Sequence, residues 1–341
     1  MLLGCHSSVE KKGSEETTGS TSKKTLEIGI VFESGGRKDP PFNLSIFQGA
    51  EKAAKEFGAQ VLYMDNPGPT DLESNIETLA EGGKDLVIVV GRAMKSPLER
   101  VASKFPNVRF AYVDGIAENK NVRSITFKEQ EGCFLAGYLA GLMTRSNRVG
   151  FVGGMEIPHI KAFQVSYEAG ARTANPHLKV LPAKYVGSWE NIDAAKVAAK
   201  LLYQEGADII FHGAGKAGLG VLKAAKETNK YAIGVDSDQD SIEPGHVLTS
   251  MIKCVDHAVY STIKDLSEGK FEPGHKIYDL RAGGVKLSPM QYTKSTIGPD
   301  NIKKVEQVQQ MILDGKITPP SNKEQLDQYL KSKGDILSSL H

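Results

Sequence analysis

The sequence predicts an α/β protein of two similar lobes, each a parallel sheet flanked by helices. Three observations carry that prediction. Short β-branched runs alternate with amphipathic helical segments from Leu26 onward, and the alternation restarts once, near Gln130. The chain of 341 residues, 40% of them hydrophobic, is long enough for two ordinary domains with sizeable cores.

In the first round the strand runs are 28–32, 61–64, 86–90 and 110–113. The helix after the first strand is read from Phe47, Ala50, Ala54 and Phe57, which recur at helical spacing, with Asn43 where an N-cap belongs. A later helix is expected to open at Ser96-Pro97, a cap followed by proline at the first helical position. The second round runs through a helix over 130–143, a strand over 149–152, a helix from Pro158, a strand over 180–186, a helix from Asn191 and a strand over 209–211. Strands over 232–235 and 247–252 follow. The pattern repeats; no sequence repeat accompanies it.

Composition narrows the function. Lys plus Arg number 42 against 41 for Asp plus Glu, so there is no electrostatic basis for gripping a phosphate backbone, and nucleic acid is not expected as a partner. No apolar run approaches the roughly 18 residues of a membrane helix. Cys5, Cys133 and Cys254 form neither a disulfide framework nor, without C-x-x-C or a Cys/His cluster, a metal site. No cofactor or metal is expected.

Leu2-Leu3-Gly4-Cys5 resembles the lipobox of bacterial lipoproteins, in which a small residue before the cysteine allows cleavage and the thiol receives the lipid. Residues 7–24 are almost entirely Ser, Thr, Gly, Lys and Glu, a composition that cannot bury apolar area and reads as a tether. Residues 1–24 are therefore expected to be anchor and tether, with Cys5 as the lipid attachment site. An accidental Leu-x-Gly-Cys is the plainer reading.

The informative residues follow the strands: Asp39-Pro40-Pro41-Phe42-Asn43, Asp114-Gly115, Gly153-Gly154, Gly187-Ser188-Trp189, His212 to Gly215, and Asp236. In open α/β sheets ligands bind outside the carboxyl ends of strands, so these loops would line one edge of each lobe, and two facing edges make a cleft.

These residues resemble the basic membrane lipoprotein family of ABC-transporter substrate-binding proteins, whose best understood members are purine nucleoside receptors. The resemblance is carried by Asp-Pro-Pro-Phe-Asn at 39–43, by Glu131-Gly132 with Leu135-Ala136-Gly137, and by the run 149–155. Ala214-Gly215 with Gly218-Leu219-Gly220, the run 234–239 and the closing stretch 312–319 complete it. It implies the type I periplasmic binding protein fold with three inter-lobe crossings, placed here at 126–129, 253–256 and 274–277. The lobes would then comprise 25–128 plus 254–275 and 129–253 plus 276–341. It also implies a monomer without enzymatic activity that holds a nucleoside between its lobes. Its partners would be permease subunits, and it would be fixed outside the cytoplasm of a bacterial envelope by a lipid anchor.

By the resemblance, Phe42 and Phe211 are aromatic jaws for the base, and Trp189 is a third wall or a lid. On position alone Phe42 reads equally as a loop aromatic and Phe211 as core. Asp39, Asp114 and Asp236 would accept hydrogen bonds from ligand hydroxyls or amines, since an ionised carboxylate only accepts. Each alone reads as a cap or turn former. Lys253 would balance their charge and donate to the ligand, and Asn43 and Gly213 complete the expected contacts. Trp189 is followed by Glu190-Asn191-Ile192-Asp193, where the family has Asn-Asp, which leaves the roles of Asn191 and Asp193 open. Riboflavin or a sugar in the same fold is an alternative ligand.

A competing reading starts from Gly213-Ala214-Gly215-Lys216-Ala217-Gly218, which fits G-x-G-x-x-G between a strand and a helix, with Asp236 near the distance of a ribose-binding acid. It would make the protein an NAD-dependent oxidoreductase. The motif lies in the third strand-helix unit of its round, however, rather than in the first unit of a domain. A hydrolase reading lacks a nucleophile beside a base.

Overall fold

The computed structural model describes residues 25–33, 36–38, 41–65 and 71–332, together with Met1. Cys5, the 7–24 tether and Asp39 lie outside the described residues.

The chain builds β1 (Leu26–Phe32), α1 (Phe42–Phe57), β2 (Ala59–Met64), α2 (Leu72–Glu81), β3 (Leu86–Val90), α3 (Lys95–Lys104), β4 (Phe110–Val113) and β5 (Val122–Phe127). It then passes through α4 (Glu129–Met143), β6 (Arg148–Gly153), α5 (Pro158–Ala174), β7 (Lys179–Val180), β8 (Lys184–Tyr185), α6 (Ile192–Gln204), β9 (Ile209–Gly213), α7 (Leu219–Glu227), β10 (Tyr231–Asp236) and β11 (Val247–Lys253). Next come α8 (Val255–Ser267) and β12 (Gly274–Tyr278), and finally β13 (Val285–Leu287), α9 (Lys294–Ile297), α10 (Pro299–Leu313) and α11 (Lys323–Ser332).

Two sheets result. The first has the order β12-β5-β4-β3-β1-β2 and is parallel throughout; the second has the order β13-β11-β10-β9-β6-β7, with β8 also on β6 and only β13 antiparallel. Both faces of each sheet are covered, which is why the central strands read as unbroken apolar runs rather than alternating ones. Along β3, Leu86, Ile88 and Val90 pack with Ile46 and Ala50 of α1 and Val259 of α8, while Val87 and Val89 pack with Leu79 of α2 and Leu98 of α3.

Four expectations are corrected. The third crossing does not fall at 274–277: those residues are in β12, which pairs in register with β5 from Gly274 opposite Arg123 to Tyr278 opposite Phe127, so the chain leaves the first lobe after Tyr278. β12 is a half-exposed edge strand whose polar Gly274, His275 and Lys276 hide it from an apolar pattern. β5 was masked in the same way by Arg123, which is buried and paired with Asp265 at 2.6 Å. The expected single strand at 180–186 is split into β7 and β8 around Pro182, which has no N–H for a ladder. Helix α3 starts at Lys95 after a 3₁₀ turn, and α1 starts at Phe42 with Pro41 at its cap position, so neither Ser96 nor Asn43 is an N-cap. Asn191 does cap α6, its Oδ1 accepting from Ala194 N at 3.0 Å.

The segments joining the sheets are tied to one another. Lys128 N donates to Tyr278 O at 3.1 Å, and Cys254 N to Gly284 O at 2.8 Å. Leu280 N donates to Glu131 Oε2 at 2.7 Å. The Phe127 and Tyr278 rings stack at 5.6 Å. These contacts bind the three segments that cross between the sheets into one unit. Among the described residues no helix is long and apolar enough to cross a membrane.

Candidate functional site

The carboxyl ends of both sheets face a cavity of about 570 Å³, within the rough 300 to 1,000 Å³ of small-molecule sites. Its lining is drawn from both lobes: Phe42, Arg92 and Asp114 from the first, His159, Trp189 and Asp236 from the second.

Phe42 opens α1 and presents its ring from the first lobe. From the second lobe the cavity is lined by Phe163 and Trp189, and the Trp189 indole lies against Gly154 so closely that a Cβ there would stand 2.5 Å from the ring. Trp189 O accepts from Ala217 N at 2.7 Å, which ties its loop to the turn before α7. Phe211, the expected second jaw, does not line the cavity. It is fully buried, with its ring 5.6 Å from Phe151 and 5.3 Å from Tyr167. Successive strand residues alternate faces, and Phe211 lies on the same core face as Ile209. The cavity is reached only at the strand's end, by Gly213.

Asp114 and Asp236 stand at the ends of β4 and β10 with φ of 69° and 66°, a left-handed backbone uncommon for residues other than glycine. Such strain persists where the surroundings over-determine it, and it clusters at ligand sites. Lys253 ends β11 and is 2% exposed. Its Nζ donates to Asp114 Oδ1 at 2.6 Å and Oδ2 at 2.7 Å and lies 2.9 Å from Glu129 Oε1. It also sits 5.1 Å from the Phe42 ring centroid and 4.9 Å from that of Phe127, so a cation underlies the first aromatic jaw. Lys253 also lines the cavity, so its ammonium stands at the cleft while paired with Asp114 and Glu129.

Burial disfavours the charge on Lys253, yet Asp114, Glu129 and Asp236 together hold the ammonium above its ordinary pKa. Burial would likewise raise Asp114, but Lys253 and then His159 bring it below the usual carboxylate value. Asp236 is pushed up to about 6 by burial, against the pull of Lys253 and with Asp114 and Glu129 adding to the rise. Its carboxylate has no hydrogen-bond or ion-pair partner among the described residues and lines the cavity. His159 is held below its ordinary value by burial, opposed by Glu129, whose Oε1 lies 3.6 Å from its Nε2.

Asn43 lines the cavity while its Nδ2 donates to Gly36 O at 3.3 Å. Arg37, close to the same loop, is held away by Asp65 at 2.7 Å and lies 4.4 Å over the Tyr63 ring. The sequence reading missed Arg92, Glu129 and His159. Nothing in Lys128-Glu129-Gln130-Glu131 marks Glu129 as buried, because the run reads as the polar start of a helix.

The glycine run at 213–218 serves its own chain. Gly215 (φ 55°) approaches Trp189, and a Cβ on Gly218 would overlap the buried His212 ring. His212 Nε2 stands 3.0 Å from Gln239 Oε1, and that oxygen also accepts from Val235 N, so the imidazole is the donor and is Nε2-protonated. The glycines make room for Trp189 and His212.

Residues 27–323 match the family described as ABC transporter substrate-binding protein PnrA-like. The chain belongs to this family. Basic membrane protein A of Borreliella burgdorferi is 32% identical over 323 residues, 92% of this chain and 93% of the relative. The ABC transporter nucleoside-binding protein BmpA of Lactococcus lactis is 32% identical over 346 residues, 94% of this chain and 95% of the relative. Among solved structures, an ABC transporter solute-binding protein from Aeropyrum pernix K1 superposes with a TM-score of 0.79 at 27% identity, covering 92% of this chain and 98% of that one. The two lobes are thus a type I periplasmic binding protein fold. This PnrA-like chain is an extracytoplasmic substrate-binding protein of an ABC transporter and not an enzyme, which removes the oxidoreductase reading of Gly213 to Gly218.

Proposed function

We propose that this PnrA-like protein captures a purine nucleoside between its lobes and hands it to the permease of its transporter. The observation that carries the reading is the pairing, in one cavity, of two aromatic rings from opposite lobes, Phe42 and Trp189, with an unpartnered carboxylate, Asp236. A flat base stacks on either ring whatever its edge, and a ribose diol supplies the donors that a carboxylate accepts. A ligand touching both lobes favours closure by as much as it gains contacts absent from the open state. The nucleoside-binding name of the Lactococcus relative agrees with this choice over riboflavin or a sugar.

The test is to unfold and refold the protein, stripping any bound ligand, and to record melting shifts with nucleosides, free bases, riboflavin and sugars. A ligand at 100 times its Kd is expected to add about 2.7 kcal/mol. A shift with riboflavin or a sugar but none with a nucleoside would reject the reading.

We also propose that Cys5 carries the lipid and residues 7–24 the tether, on the strength of Leu2-Leu3-Gly4-Cys5 and the polar stretch behind it. Intact mass of the protein taken from its native membrane decides this, an unmodified thiol at Cys5 counting against it. Cys133 and Cys254, both buried and free, are expected to titrate as two thiols after unfolding.

A further inference from the structure

The Asp236 carboxylate reaches the cleft from a strained turn, and a buried polar network holds that turn from beneath. Asp236 has φ 66°, and Ser237 N donates back to Val235 O at 2.8 Å, which closes a three-residue turn around it. Left-handed backbone at a residue other than glycine persists only where its surroundings over-determine it. Pairing of β10 with β9 ends at Ile233 opposite Phe211, short of Val235. The Val235 N–H is taken by a side chain, Gln239 Oε1, at 3.0 Å.

Gln239 is 2% exposed and is itself held on several sides. Its Oε1 also accepts from His212 Nε2 at 3.0 Å, its N donates to Ser250 Oγ at 3.0 Å, and its O accepts from Ile242 N at 3.0 Å. Ser250 Oγ donates on to Asp240 Oδ1 at 2.9 Å, and Ser288 Oγ, which donates to Asp240 Oδ2 at 2.7 Å, accepts from Ser250 N at 2.8 Å. A Cβ on Gly234 would stand 2.7 Å from Gln239 Oε1, so β10 leaves room for the amide beside it. His212, Asp240, Ser250 and Ser288 are buried, and neither they nor Gln239 line the cavity.

We propose that Gln239 is a positioning residue for ligand capture: by holding the Val235 amide it fixes the turn that aims the Asp236 carboxylate into the cleft. Val235 N and His212 Nε2 are buried donors, and among the described residues Gln239 Oε1 is the acceptor of both. Without that oxygen each donor is left unsatisfied, a cost the chain lowers by relaxing where water is nearest. The strained turn at the cleft is that place. Its relaxation gives Val235 N a water, returns Asp236 to an ordinary backbone and swings its carboxylate out of line. The titratable and charged groups facing Asp236 are Lys253 from β11, Asp114 from the end of β4, and Glu129 and Cys133 from α4; those in the Gln239 network are His212 and Asp240.

The inference rests on the cleft being the ligand site, and two measurements separate its failure from that of the nucleoside reading. The first needs no ligand. The Asp236 carboxyl is followed by ¹³C NMR as pH is varied, in the wild type and in Gln239→Leu, Gln239→Asn and Gln239→Glu. In the wild type it is expected to titrate near pH 6, raised chiefly by burial. Gln239→Leu removes the acceptor, and Gln239→Asn draws it back by one methylene. In both, the released turn brings Asp236 into water, and its midpoint is expected to fall by about one unit or more toward the ordinary carboxylate value. Gln239→Glu keeps an acceptor at the same reach and adds a carboxylate that opposes ionisation, so there the midpoint is expected to hold or rise. The polar Gln239→Asn variant carries the test where Gln239→Leu does not fold.

Adenosine affinity at pH 7.5 is the second readout, taken as a double-mutant cycle. Gln239→Leu and Gln239→Asn are each expected to weaken binding about tenfold, and Gln239→Glu distinctly less. In an Asp236→Ala background the same substitutions are expected to cost nothing further, because the group they aim is gone, whereas general loosening of the lobe would add in either background. An Asp236 midpoint that does not fall in Gln239→Asn overturns the proposal, as does a Gln239 loss that persists in full beside Asp236→Ala. If the wild type binds no adenosine, the nucleoside reading fails, while the NMR titration still decides the role of Gln239.

Discussion

Trp189→Ala is expected to weaken nucleoside binding by about 1 to 3 kcal/mol, a loss of roughly fivefold to more than a hundredfold, while the melting temperature of the empty protein hardly changes. The indole is 38% exposed and rests on Gly154, so truncating it removes stacking surface from the cleft without opening a hole in a core. Phe42→Ala is expected to cost as much, with an added effect: its ring covers the Lys253 ammonium, and its loss gives water access to a buried ion pair. Phe211→Ala should behave oppositely. That ring is fully buried among Phe151 and Tyr167, so its truncation is expected to destabilise the fold by about 3 to 5 kcal/mol, with affinity retained in the fraction that stays folded. Calorimetric titration of the three variants, each alongside its melt, separates the cases. Weakened binding in Phe211→Ala with full binding in Trp189→Ala would return the second jaw to β9.

That contrast shows where a sequence stops specifying a site. The strand-end loops were legible because β-branched runs mark the strands and ligands gather at their carboxyl ends, which put Phe42, Trp189, Asp114 and Asp236 on one surface. The face on which Phe211 emerges was not legible. It depends on where the strand's end falls relative to the cleft, and a shift of one position exchanges core for cavity. Glu129 was hidden for a related reason: its ion-pair partner, Lys253, is distant in sequence and only the fold brings the two together. β12 and β5 escaped because strands interleaved with polar residues carry no apolar run, whereas β3, covered on both faces, was found to the residue. The position of Lys253 at the cleft was legible from its place at the end of β11, but its pairing with Asp114 and Glu129, from distant parts of the chain, was not.

The charges lining the cleft govern discrimination against phosphate. Adenosine is expected to bind at least about a hundredfold more tightly than its 5′-monophosphate, because a buried anion without paired donors costs several kcal/mol. The cleft is lined by Glu33, Asp114, Glu190 and Asp236 against Arg92, Lys216 and Lys253, and the Lys253 charge is ion-paired with Asp114 and Glu129. Arg37 does not turn inward to help, since Asp65 holds it on the first lobe. Arg92 and Lys216 are the cations that a phosphate would have to recruit. Acidification changes the ratio through two groups, Asp236 and the monophosphate, whose own second ionisation also lies near pH 6. Lowering the pH from 7 to 5 takes Asp236 through its midpoint near 6, so the nucleoside loses an acceptor and the phosphate loses a repelling charge. The preference for adenosine is therefore expected to narrow at pH 5. Side-by-side titrations at the two pH values check it: equal affinities at pH 7, or a ratio that widens on acidification, would mean that Arg92 or Lys216 receives the phosphate and that Asp236 does not face the ligand.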